Sequence, residues 1–294
     1  MKPTVTSVGS YNFDVYLVVD RLPSPGETVR ARGYYTGHGG KGSNQAVSAA
    51  RLGARSKLIA AVGNDKEGAR ALEFLLSEGV DVSGVSVKAA RTGRAFVIVA
   101  GGQNIIVIDP GANAELTEED VIRSLPGEGV LLASLEVPTA AVRAALGRFS
   151  GLKILNPAPA SPEAAELLSL ADIVTPNEVE ALQLTGAGTV ADAAARLLER
   201  APAVVITLGK EGAVVSQRGS GRLIKVPAPR VEEVDPTGAG DAFNAALAYA
   251  VGCGSDLMDA VRFAVQAASL KVARRGALGL RADELAAAGV ELPC

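Results

Sequence analysis

The residues best suited to chemistry lie at Asp235-Pro236-Thr237-Gly238-Ala239-Gly240-Asp241. An extended segment, VEEV, leads in, and a long Ala-rich run, DAFNAALAYAV, leads out. Gly238 and Gly240 leave the backbone bare, so neighbouring N–H groups can converge on one point at a helix N-terminus. The helix dipole adds to the attraction for an anion there. A transferring phosphoryl group needs that arrangement, because its charge lies on peripheral oxygens. Asp241, at the mouth of the same helix, could take the proton of an attacking hydroxyl. Read alone, the same residues also describe a glycine turn with Asp241 as a plain helix cap.

Three further clusters carry polar chemistry. Gly37-His38-Gly39-Gly40-Lys41-Gly42-Ser43-Asn44 precedes the helical run QAVSAARLGA. It contains the dinucleotide spacing G-x-G-x-x-G, and Asp65 follows the next strand where a ribose-binding acid would belong. Against a nicotinamide site stand Lys41 inside the loop and the polar, Gly-interrupted lead-in VRARGYYT. Gly42 after Lys41 also excludes a Walker A loop. The other reading is a polyol site, with bare backbone, Lys41 and Asn44 around a sugar and a nearby phosphate. His38 is expected to be a simple loop residue. In Asn12-Phe13-Asp14, the amide and carboxylate are two apart and share one face of an extended segment, where they could read vicinal hydroxyls or merely form a turn. In Asn177-Glu178-Val179-Glu180, the spacing fits a helix capping box, or an amide and a carboxylate serving hydrated Mg²⁺ and phosphate oxygens.

These residues need a scaffold, and the 294 residues are enough for one large α/β domain or two small ones. Hydrophobic residues at 48% and charged residues at 21% exclude a disordered chain. No run of 18 apolar residues predicts a membrane span, and the first residues lack the apolar block of a signal peptide. A net charge of −3 argues against a dedicated nucleic-acid binder. A single histidine leaves acid–base work to carboxylates. Cys253 and Cys294 give neither a zinc cluster nor a disulfide framework, which suits a reducing cytoplasm.

Short apolar runs at 4–9, 57–63, 129–136, 152–156, 171–175 and 203–208 read as strands buried on both faces. Helical patterns at 43–53, 66–78, 117–124, 138–149, 161–169, 178–184 and 190–200 alternate with them, and a hairpin follows at 213–217 and 222–226. The alternation predicts a Rossmann-like α/β fold, with a mostly parallel sheet and helices on both faces. The segments 12–20, 29–36 and 94–109 interrupt it. The last is expected to be a hairpin turned by Gly101 and Gly102, and together they predict a small antiparallel sheet, a lid over the strand-end crevice. Its apolar residues either pack on the main domain or pair with a second subunit. We expect one domain, 1–294, with this lid.

Together the motifs resemble the ribokinase-like, or PfkB, carbohydrate kinases, over essentially the whole chain and in the same order. The family signatures look like GGKGSNQAV at 39–47 and DPTGAGDAF at 235–243, with the N-E-x-E element at 177–180. NFD at 12–14, LPSPGETV at 22–29 and NIIVIDPGAN at 104–113 are similar to members that act on ribose. The resemblance implies transfer of the γ-phosphoryl group of ATP to O5 of D-ribose. It makes Asp241 the base and Gly238, Ala239 and Gly240 the anion hole. Asn12, Asp14, Gly40, Lys41, Asn44 and Glu136 would hold the sugar, with Lys41 also near phosphate. Asn177 and Glu180 would serve Mg²⁺ and phosphate, and Thr207, Gly209, Gly212 and Gly240 the nucleotide. A K⁺ site would draw on Asp235 and Thr237, with backbone carbonyls at Lys271, Arg274 and Gly276. Leu280 stands where a serine hydroxyl often completes that site, and Val265, beside Gln266, where a polar residue often lies near adenine. The resemblance also implies a homodimer through the lid. Other sugars or a nucleoside remain open as acceptors, and an NAD-dependent oxidoreductase or a nucleotide-binding protein remains the reading from another class.

Overall fold

The computed structural model describes residues 2–100 and 103–294. The chain begins β1 (Thr4–Val8), β2 (Asn12–Val19), β3 (Gly33–Gly39), α1 (Lys41–Arg51), β4 (Arg55–Gly63), α2 (Lys66–Ser77), β5 (Val80–Lys88), β6 (Arg94–Ala100) and β7 (Gln103–Asp109). It continues α3 (Glu118–Ser124), β8 (Val130–Ser134), α4 (Thr139–Arg148), β9 (Leu152–Asn156), α5 (Pro162–Leu167), β10 (Ile173–Val174), α6 (Glu178–Thr185), α7 (Val190–Leu198) and β11 (Ala203–Thr207). It closes with β12 (Ala213–Gln217), β13 (Leu223–Val226), α8 (Ala239–Gly252), α9 (Leu257–Val272) and α10 (Ala282–Ala287).

Among the described residues, nine strands form the main sheet in the order β13-β12-β11-β10-β9-β8-β1-β4-β5. All neighbours run parallel except the β11–β12–β13 edge, which is an antiparallel meander. Successive side chains of a strand point to opposite faces, and both faces are covered here. Val130 and Leu132 pack with Phe243, Leu247 and Val261 of α8 and α9. Leu131 and Ala133 pack with Val142 and Leu146 of α4 on the other face. That is why these strands lack alternation in the sequence.

The second sheet has the order β3-β2-β6-β7. β2 runs parallel to β6, while the other pairs are antiparallel. The sheet is therefore mixed rather than wholly antiparallel, because the chain crosses through the main sheet between β3 and β6. Its second segment, expected at 29–36, forms at 33–39. The turn assigned to Gly101 and Gly102 lies outside the described residues. One face of this sheet stays open: Tyr34, Phe96, Ile105 and Val107, which the register places on the same side, are exposed.

Two close crossings join the sheets. Only Gly40 separates β3 from α1. Its φ of 87° suits glycine, and a Cβ there would lie 2.8 Å from the Asn12 nitrogen and the Ser10 oxygen. Gly42 packs against Gly9, where a Cβ would come within 2.7 Å of the Gly9 Cα.

Several features depart from expectation. β5, α9 and α10 were not anticipated, and the strand expected at 171–175 shortens to two residues. Cys253 and Cys294 form a disulfide, with Cα atoms 5.8 Å apart, so the cysteines do not carry the expected support for a reducing compartment. Packing of the chain end against α8 brings them together, and Tyr249 Oη donates to the Cys294 carbonyl at 2.8 Å. Among the described residues, no helix is long and apolar enough to cross a membrane.

Candidate active site

α8 starts at Ala239, capped by Gly238 with φ 73°. A Cβ on Gly238 would meet the Ala277 oxygen at 2.0 Å, so this turn requires glycine. Asp241 is buried in the first turn. Asn44 Nδ2 donates to its Oδ2 at 2.9 Å, and Gln45 Nε2 to its Oδ1 at 3.2 Å. The helix mouth near residue 240 therefore meets the loop at 40–44 directly. Burial pushes the Asp241 carboxyl up from its ordinary value, against the lowering effects of Lys41 and of the Asn44 and Gln45 hydrogen bonds. Ala239 fits the anion hole less well than expected, because its amide already donates to the Pro236 carbonyl at 3.1 Å. Gly240 and Asp241 supply the first-turn amides that have no partner within the helix. An added Cβ on Gly240 would meet nothing within 4 Å, so this residue opens onto free space.

The residues expected around a sugar gather on the other side of Asn44. The Lys41 amide donates to Glu136 Oε2 at 3.0 Å, and Ser10 Oγ donates to the same oxygen. Burial opposes charge on the Lys41 ammonium, but Asp241, Glu136 and Glu180 outweigh it and raise its pKa. Asp14 is buried and is pushed up to about 6, chiefly by desolvation; Glu136 adds to the rise and the Tyr16 hydroxyl, 3.2 Å away, opposes it. Asn12 is held through its Oδ1 by Asn113 Nδ2 at 2.9 Å. Gly39 has no room for a side chain, since a Cβ would lie 2.3 Å from Asp14 Oδ2. Asn12, Asp14, Gly40, Lys41, Asn44 and Glu136 thus converge with Asp241 as expected from sequence. Ser10, Gln45 and Asn113 were missed: each reads as an ordinary polar residue, and only its buried partner marks it.

His38 proves to be more than a loop residue. Its Nδ1 lies 2.6 Å from Tyr11 Oη, and its ring stacks on Phe74 with centroids 3.9 Å apart. Asp65 caps α2 instead of offering a carboxylate to a ribose. Its Oδ1 accepts from the Gly68 amide at 2.8 Å, and its Oδ2 from the Thr92 amide at 2.8 Å. The glycine loop also leaves the small sheet rather than the main one, so the nicotinamide reading loses both its strand and its acid.

Beside the α8 mouth lies a cavity of about 480 Å³, lined by Thr207, Gly209, Gly212, Ala239, Gly240 and Val265 among others. This volume suits a nucleotide-sized ligand. Gln266 faces a separate depression. Asn177 and Glu180 form a complete capping box on α6, with both backbone-to-side-chain distances 2.8 Å. They also stand at the site's edge: the Thr207 amide donates to the Pro176 carbonyl at 3.1 Å, and Asn177 bridges to Thr207. Burial raises the Glu180 carboxyl, while the Asn177 amide and Lys41 oppose the rise. Among the described residues, no group of three His, Cys, Asp or Glu side chains could hold a metal alone. A single hard carboxylate beside a phosphate site still fits Mg²⁺, which keeps its waters and binds largely through substrate phosphates.

The residues expected to hold K⁺ do not fit it. Lys271 Nζ donates to the Asp235 carbonyl at 2.8 Å and to the Thr237 carbonyl. Asp235 Oδ1 accepts from the Thr237 amide at 3.0 Å, and Oδ2 from the Gly276 amide at 2.8 Å. Burial would raise the Asp235 carboxyl, but these hydrogen bonds and Lys271 hold it below its ordinary value. The Arg274 side chain pairs with Glu284, and Leu280 is buried. A K⁺ ion on the same two carbonyls would sit within about 4 Å of the ammonium, at a cost of ~4 kcal/mol for an effective dielectric of 20.

A polar pocket and a nucleotide-sized cavity meeting at one helix mouth define a group-transfer enzyme. The model of the pfkB family of carbohydrate kinases matches residues 2–282, and the chain belongs to that family. Among its relatives, the ribokinase of Haemophilus influenzae is 40% identical over 292 residues, covering 94% of each chain. The ribokinase of Bacillus subtilis is 37% identical over 279 residues, covering 92% of this chain and 94% of its own. The crystal structure of a Thermotoga maritima ribokinase superposes with a TM-score of 0.90 at 35% identity, covering 97% and 98% of the two chains. The Arabidopsis thaliana ribokinase complexed with ribose and ATP gives 0.86 at 32% identity, covering 98% of each.

Proposed function

We propose that the protein transfers the γ-phosphoryl group of ATP to O5 of D-ribose, giving ribose 5-phosphate and ADP. The observation that carries this reading is the contact of Asn44 and Gln45 with Asp241, which puts the polyol-type pocket against the anion-binding helix mouth. Similarity to ribokinases, including one complexed with ribose and ATP, supports the choice of sugar and donor.

In this reading Asp14 and Glu136 accept hydrogen bonds from the sugar's hydroxyls, and Asn12, whose Oδ1 accepts from Asn113, offers its Nδ2 to a hydroxyl oxygen. Asn44 spends its amide on Asp241, while its buried Oδ1 has no protein partner and can accept from a sugar hydroxyl. Asp241 takes the proton of the O5 hydroxyl as that oxygen attacks phosphorus, and the bond to the ADP oxygen breaks. The Gly240 and Asp241 amides and Lys41 stabilise the charge on the transferring group. Thr207, Gly209 and Gly212 bound the nucleotide. Glu180 would hold Mg²⁺ through its hydration shell, with Asn177 fixing the carboxylate. The ion would supply charge neutralisation between the phosphates.

We also propose that the two sheets act as one domain with a lid, that the exposed apolar face of the small sheet forms a homodimer interface, and that the protein works in the cytoplasm, where ATP is available. Exposed Tyr34, Phe96, Ile105 and Val107, side by side on that face, support the interface. A panel of ribose, fructose, 2-deoxyribose and adenosine, scored by ADP release with ATP and Mg²⁺, tests the substrate. Ribose is expected to give the highest kcat/KM. A nucleoside ahead of it by orders of magnitude would overturn the choice.

A further inference from the structure

The loop that leads into α8 has two sides. Its amides face the cavity at Gly240, and behind them the carbonyls of Asp235 and Thr237 aim at one spot. Two carbonyl oxygens turned toward each other repel, so a loop of this shape needs a positive charge in its crook. Lys271, one residue from the end of α9, provides it: its Nζ donates to both oxygens. The residue is only 1% exposed, so the ammonium is fixed rather than shared with solvent. The neighbouring peptide completes the clamp, because the Val272 carbonyl accepts from the amides of Val234 and Asp235 at 2.8 and 2.9 Å.

We infer that Lys271 is a tethered cation that holds the phosphate-facing loop in its working shape, so that this kinase turns over without a free monovalent ion. Lys271 is a positioning residue: it acts through Thr237 and Gly238 on the amides of the α8 mouth. A loose alkali ion would exchange and would leave the loop dependent on salt. A lysine carried by α9 is present in every molecule, and although burial lowers its pKa, Asp235 and Asp241 oppose the fall. The inference rests on the role proposed for the 235–241 loop.

The test is a salt panel at constant ionic strength, comparing tetramethylammonium, sodium, potassium and ammonium chlorides. Wild-type kcat/KM for ATP is expected to stay within about twofold across the panel, and stimulation by K⁺ beyond twofold would overturn the inference. Lys271→Ala empties the crook but leaves the carbonyls. It should lose about 10²-fold in turnover in tetramethylammonium, the scale of an ångström-sized misplacement. It should then regain at least tenfold, saturably, with potassium or ammonium. The thermal midpoint of this variant should rise with KCl and not with tetramethylammonium chloride, a readout independent of catalysis. Full activity of the variant without a monovalent ion would also overturn the inference, as would a loss that no cation restores. Lys271→Met, which keeps the side-chain volume without the charge, should be impaired and resist rescue; if the alanine variant does not fold, this variant and the wild-type panel decide. Failure of the loop's proposed role would show separately, as an Asp241→Asn variant that keeps its turnover in every salt.

Discussion

Asp241→Asn separates proton transfer from scaffolding. The wild-type carboxylate accepts from Asn44 Nδ2 at 2.9 Å and from Gln45 Nε2 at 3.2 Å, while Asn44 Oδ1 and Gln45 Oε1 are buried without protein partners. An asparagine at 241 offers one acceptor and one donor. Rotating either neighbouring amide by half a turn presents its oxygen to the new N–H, so both hydrogen bonds survive in neutral form. Charge-assisted bonds of about 1.5–3 kcal/mol each become neutral ones of about 0.5–1.5 kcal/mol. Against that loss stands the relief of desolvating a charge. The raised pKa of Asp241 shows that desolvation outweighs its partners. The sign follows: a carboxyl raised on folding contributes stability that is full below its unfolded pKa and is lost as pH rises through the folded one. At neutral pH the asparagine variant should therefore melt at or slightly above the wild-type temperature in calorimetry. Its kcat, read by ADP release with ribose, should fall about 10²–10⁴-fold, the range for a lost general base, or ~2.7–5.4 kcal/mol in the barrier. Nucleotide affinity should change less than about twofold. Turnover within about threefold of wild type in a normally melting variant would refute the assignment of the base, and so would a loss of turnover that merely tracks a collapsed melting temperature.

Gly240→Val should fold normally, because a Cβ there meets open space, yet abolish turnover by filling the phosphate position; retained activity would remove the anion-hole assignment. Asp14, pushed up to about 6, should give the kcat/KM for ribose an acid limb near that pH, absent in Asp14→Asn, whose KM should rise about 10–100-fold for the lost charged hydrogen bond. The same shift means that Asp14 favours folding below about pH 4 and that ~3 kcal/mol of this is lost as pH rises through 6, so Asp14→Asn should flatten the pH dependence of urea midpoints. Reducing Cys253–Cys294, a bridge with sequence separation 41, should cost up to ~4 kcal/mol by the loop-entropy relation while leaving kcat at 25 °C unchanged; an unmoved melting temperature would show the bridge to be stabilising nothing. Val107→Asp should halve the sedimenting mass if the exposed sheet face is the subunit contact, and an unchanged mass would exclude that face.

Much of the scaffold could be read because strands covered on both faces betray themselves as unbroken apolar runs such as LLAS and KILN. β5 escaped because it is the sheet's edge: VDVSGVSVK mixes polar and apolar residues and holds a glycine, as a half-covered strand does. α9 escaped because its chemistry-neutral pattern followed the conspicuous run of α8 without a motif of its own. In the site, the glycines and carboxylates were legible because tight turns and anion sites leave few choices of residue. Gln45, Asn113 and Lys271 were not, since an amide or an ammonium takes its meaning from a partner 34 to 196 positions away. The cysteines failed for the same reason: two residues have only one possible pairing, but spacing alone cannot say whether their Cα atoms meet.

The single residue between β3 and α1 makes the small sheet and the proposed reaction centre one mechanical linkage. Gly40 passes any tilt of the small sheet straight into the backbone of Lys41, whose amide is tied to Glu136, and from there along one helical turn to Asn44 and Asp241. Sugar arriving under the sheet would thus tune the base before the nucleotide is committed. A variant with a slack joint, such as a glycine inserted after Gly40, should then leak: it would split ATP with water when no sugar is present, while its affinity for ATP stays the same.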